Sequence, residues 1–477
     1  MQLSRPPFSG RSPLVLLVVF TTLLVLIRTP AVLAQAATLD QNILTLHELK
    51  VDSQYFVVEL AIIPSSNPLA FSLVDFAELS GPGFENPNRL TGSLLEIPSI
   101  TVEELSYWVN LRLQEIPDLR LILEDFGLND DEPTSCMRPE PDPSHGSNNP
   151  PIVNGFSVST EFLFDGGPGQ DGIPSIDAPV FERSPRGLDD NQLVVGVKMG
   201  DSVRAYPHYV LDWHEVVNDL YTINGETVRH TLSYCPLTGS AMMWKGNLEG
   251  QSVAYGTSGL LLNSNLILYD RTTGSLWSQM LEQSINGPSI LSIPERVQVI
   301  ETTWGTWSTM YPESDVLTTF TEYDRPYESY PYGDFRTSEA LRFPVENSDD
   351  RRLPRKERVV GINVGDTSRV YPINNFGSGV TVLEETVGNR DVVIVGSGSS
   401  NFGAIFDRQM EDCSTLEFSA VVNQLPIVMS DNEGNQWDIF GNAVSGPRIG
   451  QSLQKTNSYI AYWYAWTAFF PGTTIWE

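Results

Sequence analysis

Two residues stand out by type. His214 and Cys235 carry the imidazole and the thiol, the side chains best suited to soft-metal ligation or to nucleophilic work near neutral pH. They sit in Trp213-His214-Glu215-Val-Val-Asn218-Asp219 and in Tyr234-Cys235-Pro236-Leu-Thr238-Gly239. A helix after Pro207 carrying Val210, Leu211, Trp213, Val217 and Leu220 would place His214 and Asn218 on one face, four residues apart. Cys235 ends a strand expected over Val228–Tyr234, just before a Pro-containing turn. Three chemistries compete for this pair. Thiolate plus imidazole suits copper or zinc, with Asp270 as a further carboxylate ligand. A thiol activated by His214 suits redox or acyl-transfer work. A buried pair without chemistry is the third reading.

A second polar run follows, with Ser258, Asn263, Asp270, Arg271 and Gln279 alternating with apolar residues. Such a run can line a small-molecule pocket, with Arg271 orienting an anionic group, or can be turn chemistry and an ion pair. The aromatic loop Tyr323–Asp334 either covers a cleft or packs against its neighbours.

The elements that must position these residues read as a unit of roughly 160 residues written twice. Val194-Val-Gly-Val-Lys-Met-Gly-Asp-Ser-Val-Arg-Ala-Tyr-Pro207 returns as Val359-Val-Gly-Ile-Asn-Val-Gly-Asp-Thr-Ser-Arg-Val-Tyr-Pro372. Trp304, Trp307 and Pro312 return as Trp463, Trp466 and Pro471. Each copy predicts a hairpin turning at Gly-Asp, further strands (Ser264–Tyr269 among them), and a closing helix such as Thr303–Met310 with its tryptophans on one face. The second copy lacks the His and the Cys, so the fold does not require them. That contrast marks His214, Asn218 and Cys235. The expected fold class is β-rich α+β: tandem units over 166–345 and 346–477, packed face to face, after a Pro/Asp/Ser/Gly-rich linker at 131–165.

Residues 38–130 form a separate α/β region. Tyr55-Phe-Val-Val-Glu-Leu-Ala-Ile-Ile63 reads as strand, whereas Leu105, Trp108, Val109, Leu111 and Leu113 follow Thr101-Val-Glu-Glu near helical spacing. Residues 1–34 read as a signal peptide: Arg5 and Arg11, the apolar Leu14–Ile27, then Ala31-Val-Leu-Ala34. The apolar run is short of the ~20 residues a span needs, so the expectation is an exported protein (periplasmic, envelope or extracellular) with no membrane span once the signal is removed. Its removal takes the formal charge from −30 to about −33, a field that repels nucleic acid. Of Cys136, Cys235 and Cys413, an odd set, Cys235 is expected to be the unpaired thiol.

Asp171-Gly-Ile-Pro-Ser-Ile-Asp-Ala-Pro179, Trp213–Asp219, Tyr234–Gly239, Ser258–Ser264, Leu268-Tyr-Asp-Arg271, Leu276-Trp-Ser-Gln279 and Arg342-Phe-Pro-Val345 resemble the family called domain of unknown function three-one-seven-nine. The likeness covers about residues 165–477. It implies an exported protein and no established activity. The family usually shows Cys-Pro-Leu-Cys-Gly where this chain has Thr238, so a dithiol exchange within that turn is closed to it.

Overall fold

The computed structural model describes eight strands between residues 37 and 128, then residues 152–477 apart from 184–187, 224, 249 and 411. The expected signal segment, residues 1–34, and Cys136 lie outside the described residues. The chain divides into two compact units at Thr134/Ser135. No described helix is long and apolar enough to cross a membrane.

In the first unit one eight-stranded sheet closes on itself. Ile43–Val51 pairs antiparallel with Gln54–Ile62 and parallel with Asn88–Thr91. Leu44, Leu46, Leu60, Leu95, Ile97, Val109 and Leu111 fill its core. The helix expected after Thr101 is instead the strand Leu105–Gln114. Residues 105, 109 and 113 satisfy both periods, but Leu111 shares the inner face with Val109 at period two. The region is therefore all strand among its described residues, not α/β.

The second unit is β-rich with few helices. The hairpin Leu193–Met199/Ser202–Pro207 forms as the sequence predicts, Val195 opposite Tyr206, turning at Gly200 with φ +56°. Ile300–Thr303 flanks it on one side and Asp315–Leu317 on the other. Further along, Arg358–Val364 and Thr367–Pro372 form a hairpin flanked by Tyr459–Tyr462 and Thr474–Ile475. Short helices, Trp304–Met310 and Trp463–Phe469, follow the first flanking strand of each sheet.

Each helix lays an indole across a strand glycine. A Cβ on Gly196 would lie 2.0 Å from the Trp307 ring, and one on Gly361 2.3 Å from Trp466. Antiparallel meanders complete the unit, Val216–Ile223/Glu226–Cys235/Ser240–Lys245 and Thr381–Val387/Arg390–Ser397/Phe402–Asp407 among them.

The cores interlock. Trp463 and Trp466 pack with Val216, Met242, Trp244 and Trp277, whereas Trp307 packs with Val393, Phe402, Phe406 and Trp437. Each closing helix thus shares its core with meanders distant in sequence. Burial of this kind is worth about 1.5–3 kcal/mol per large side chain.

Candidate functional site

The helix His208–His214 begins where Pro207 fixes an extended φ of −66°. It ends at Glu215, which takes φ 58° and donates its N–H to the Leu211 carbonyl. The β-branched pair Val216-Val217 then continues as strand. Val217, Asn218 and Leu220 are consequently not helical, and His214 and Asn218 share no helix face. His208 and Asp212, four apart, do share one.

The structure gives His214 and Cys235 separate partners. His214 Nδ1 lies 2.8 Å from the Pro174 carbonyl and Nε2 2.6 Å from the Tyr327 hydroxyl. Cys235, free and buried, donates its thiol to the Ser264 carbonyl at 3.8 Å. Burial first, and the Glu215 charge second, push that thiol up to about 11. A thiol so placed is the reverse of an activated one. Both imidazole nitrogens are engaged by protein groups other than the sulfur, so this donor set does not fit a thiolate–imidazole metal centre either. Among the described residues no group of three or more His, Cys, Asp or Glu is arranged to hold a metal. Cys413 is disulfide-bonded.

The other expected ligand residues hold the fold. Asn218 donates to Asp177 and to the Tyr255 carbonyl while accepting from Thr231 and the Tyr255 N–H. Asp270 accepts from the Thr272 and Thr273 backbone, the Thr273 hydroxyl and Trp277 Nε1. Arg271 pairs with Asp177 at 2.6 Å. Ser258 donates to the Ile267 carbonyl, and Asn263 bridges Ala468 and Glu346. Gln279 joins Ser233, Ser240 and Asn265 in a buried network that also takes in Thr238. Where a second cysteine would stand, Thr238 is therefore a hydrogen-bonding core residue.

A different set of side chains lines a cavity of about 310 Å³: His208, Tyr209, Tyr234, Arg336, Arg358 and Tyr462, together with Asn191, Gln192 and Leu193. Arg358 donates through Nη2 to Glu301 at 3.1 Å and through Nε to Asn401 at 3.0 Å. Burial pushes the Glu301 carboxyl up, but the Arg358 charge and the His208 contact win and hold it below the usual range. His208, 3.1 Å from Glu301, is lowered to about 4, mainly by burial, with Arg358 and Arg336 adding to it. It is neutral at pH 7. Its ring packs on Tyr234 at 4.3 Å between centroids.

Arg336 follows the aromatic loop by two residues, stacks 4.1 Å from the Tyr330 ring centroid, and donates to Asp212 at 2.6 Å. Burial raises Asp212 to about 7 against the opposing charge of Arg336. Glu215 is likewise raised to about 7 by burial, against a 2.7 Å hydrogen bond from Tyr332. Both acids keep their protons in the fold at pH values where an unfolded chain has lost them. Folding then takes up protons, and stability falls as pH rises between about 4.5 and 7.5, by a few kcal/mol in all. Thermal unfolding midpoints across that range should show the fall, and Asp212→Asn/Glu215→Gln should flatten it. An unchanged slope in the double variant would refute the assignment.

Sequence reasoning passed over this cavity, although one signal was present. His208 follows Tyr206-Pro207, and Ile373 follows Tyr371-Pro372, so the contrast that singled out Cys235 applies equally to His208. Arg336, Arg358 and Tyr462 gave no local signal, because distant segments bring them in.

The fold and the cavity describe a β-rich body with an arginine- and tyrosine-lined pocket. The chain belongs to the DUF3179 family, described as proteins of unknown function, whose model matches residues 170–473. The match contains every cavity residue and leaves the first unit outside. No curated protein and no solved structure matches the chain.

Proposed function

We propose that the second unit is a small-molecule-binding module that holds an anionic ligand in the cavity of His208, Arg336, Arg358 and Tyr462. One observation carries this reading. Two guanidiniums line the same cavity, and neither Nη1 group nor the Tyr462 hydroxyl makes a hydrogen bond to a described residue. In a chain of formal charge −30, two guanidiniums with donors to spare in one cavity are the groups that would pair with an anion.

We further infer that the unit arose as a tandem duplication and that the site was made once, from residues in which the halves differ. Support comes from the paired hairpin sheets, the Gly-under-Trp contact in each, and two equivalent ion pairs. Arg204 and Tyr206 meet Asp219, just as Arg369 and Tyr371 meet Glu385. Arg358 lies opposite Tyr462 where the first sheet has Leu193 opposite Thr303. The cavity is thus lined where the repeat is broken.

Calorimetric titration of the purified chain with small anions tests the binding. Dissociation constants in the micromolar to millimolar range are expected, weakened at least about tenfold by Arg336→Gln and by Tyr462→Phe. Absence of saturable binding by any anion tried would sink the reading.

A further inference from the structure

Resting on that reading, we propose that the ligand is a monocarboxylate with an aromatic or branched apolar body. Its carboxylate would sit between Arg336 and Arg358, and its body against Tyr209, Tyr234 and Leu193. Three observations lead there.

The first is charge. The cavity has two cations, but Glu301 lies 3.1 Å from Arg358 and is buried with it, cancelling one. Asp212 cancels the second only when it is ionised, and burial raises its carboxyl to about 7. Once a carboxylate arriving on Arg336 leaves Asp212 protonated, the cavity carries one uncompensated positive charge. A monoanion neutralises it. A dianion such as phosphate would leave a second negative charge in a site with no cation to meet it, which burial penalises.

The second is the wall. Apart from the guanidiniums, His208 and the amides of Asn191 and Gln192, the cavity is lined by Leu193 and the rings of Tyr209, Tyr234 and Tyr462. His208 is neutral and packed on Tyr234. Such walls favour an apolar body over a second polar group. The third is size. The cavity holds about 310 Å³, the low end for ligand pockets, which suits a single ring or a short branched chain.

The same geometry couples binding to a proton. Asp212 is faced by Arg336, by Tyr330 from the aromatic loop, by Tyr234 from its strand, and by Tyr462 from the closing strand; on its own element it has Glu215, with His208 four residues back on the shared face. A carboxylate arriving on Arg336 competes with Asp212 for that cation, so Asp212 takes up a proton as the ligand binds.

The test is calorimetric titration of the full chain at pH 7.5 with benzoate, acetate, phthalate and phosphate, in two buffers of different ionisation heat. Benzoate is expected to bind at least about tenfold more tightly than each of the others. Tyr209→Ala should weaken benzoate and leave acetate unchanged, and the buffer dependence should report net proton uptake that Asp212→Asn removes. Phosphate or phthalate binding as tightly as benzoate would overturn this proposal while leaving an anion site standing. Binding without proton uptake would overturn the coupling to Asp212. Failure of all four anions would overturn the anion site itself. Should Asp212→Asn not fold, the ratio of benzoate to phosphate affinity in the unaltered chain still decides the ligand class.

Discussion

Arg358→Ala should destabilise the second unit by about 3–5 kcal/mol at pH 7.5, among the largest losses available to a single polar substitution. The reason is what it leaves behind. The side chains of Glu301 and His208 are 2% and 5% exposed, and Arg358 supplies the guanidinium that pairs with Glu301. With the guanidinium gone, only the His208 contact still opposes burial, which then pushes the Glu301 carboxyl up. In the parent protein the depressed carboxyl contributes stability above its unfolded value of about 4.3, and that contribution is lost only as pH falls through the folded value. In the variant the sign reverses. The carboxylate must be buried unpaired above its raised value, and protonation relieves it as pH falls. The gap between parent and variant is therefore wide at pH 7.5 and narrows towards pH 4.5. Urea unfolding followed by tryptophan fluorescence at the two pH values measures it. The neutral pair Arg358→Met/Glu301→Gln should recover most of the loss, because no charge is then stranded. A loss below about 1 kcal/mol, or one equal at both pH values, would mean that Glu301 is not held by Arg358.

That ion pair also shows why the site was harder to read than the fold. The hairpins were legible because their apolar residues alternate and end in Tyr-Pro, and the closing helices because Trp304 and Trp307, then Trp463 and Trp466, fall three apart. Local pattern misled in two places for one physical reason. Positions 105, 109 and 113 satisfy both helical and strand periods, and only Leu111 breaks the tie. Val210, Leu211 and Val217 satisfy a helix that the left-handed Glu215 ends first.

The site depends on a different kind of information. His214 and Cys235 were chosen by chemical type, and type says nothing about whether a group's partners are already supplied. Tyr327 and Ser264, remote in sequence from the residues they engage, supply them. The cavity needs His208 from one hairpin end, Arg336 from just beyond the aromatic loop, and Arg358 and Tyr462 from a second sheet. No spacing rule joins four such segments. The family likeness, by contrast, was fully visible, since it rests on contiguous motifs within the matched residues 170–473.

The second large effect falls on the glycines under the tryptophans. Gly196→Ala and Gly361→Ala should each cost about 3 kcal/mol, the upper end for overpacking a core. Neither glycine has a positive φ, so alanine is allowed by the backbone and only the ring opposes it. That opposition is severe. Trp307 and Trp466 are fully buried, and each anchors its indole N–H at 2.9 or 3.0 Å, to Ser314 and Ser368 respectively. The ring can retreat only by breaking that bond and pushing into neighbouring rings, where Trp307 meets Phe440 and Trp466 meets Tyr459 and Phe470. A smaller partner should relieve the clash, so Gly361→Ala combined with Trp466→Leu should be less destabilised than the sum of the two, by about 1–2 kcal/mol of coupling. The same cycle at Gly196 and Trp307 should give a similar coupling, because the inferred duplication makes the two contacts one feature inherited twice. Urea unfolding of the six variants settles it. Strong coupling in one half and none in the other would show that the glycines reached their indoles independently, and the equivalence of the halves would lose its best support.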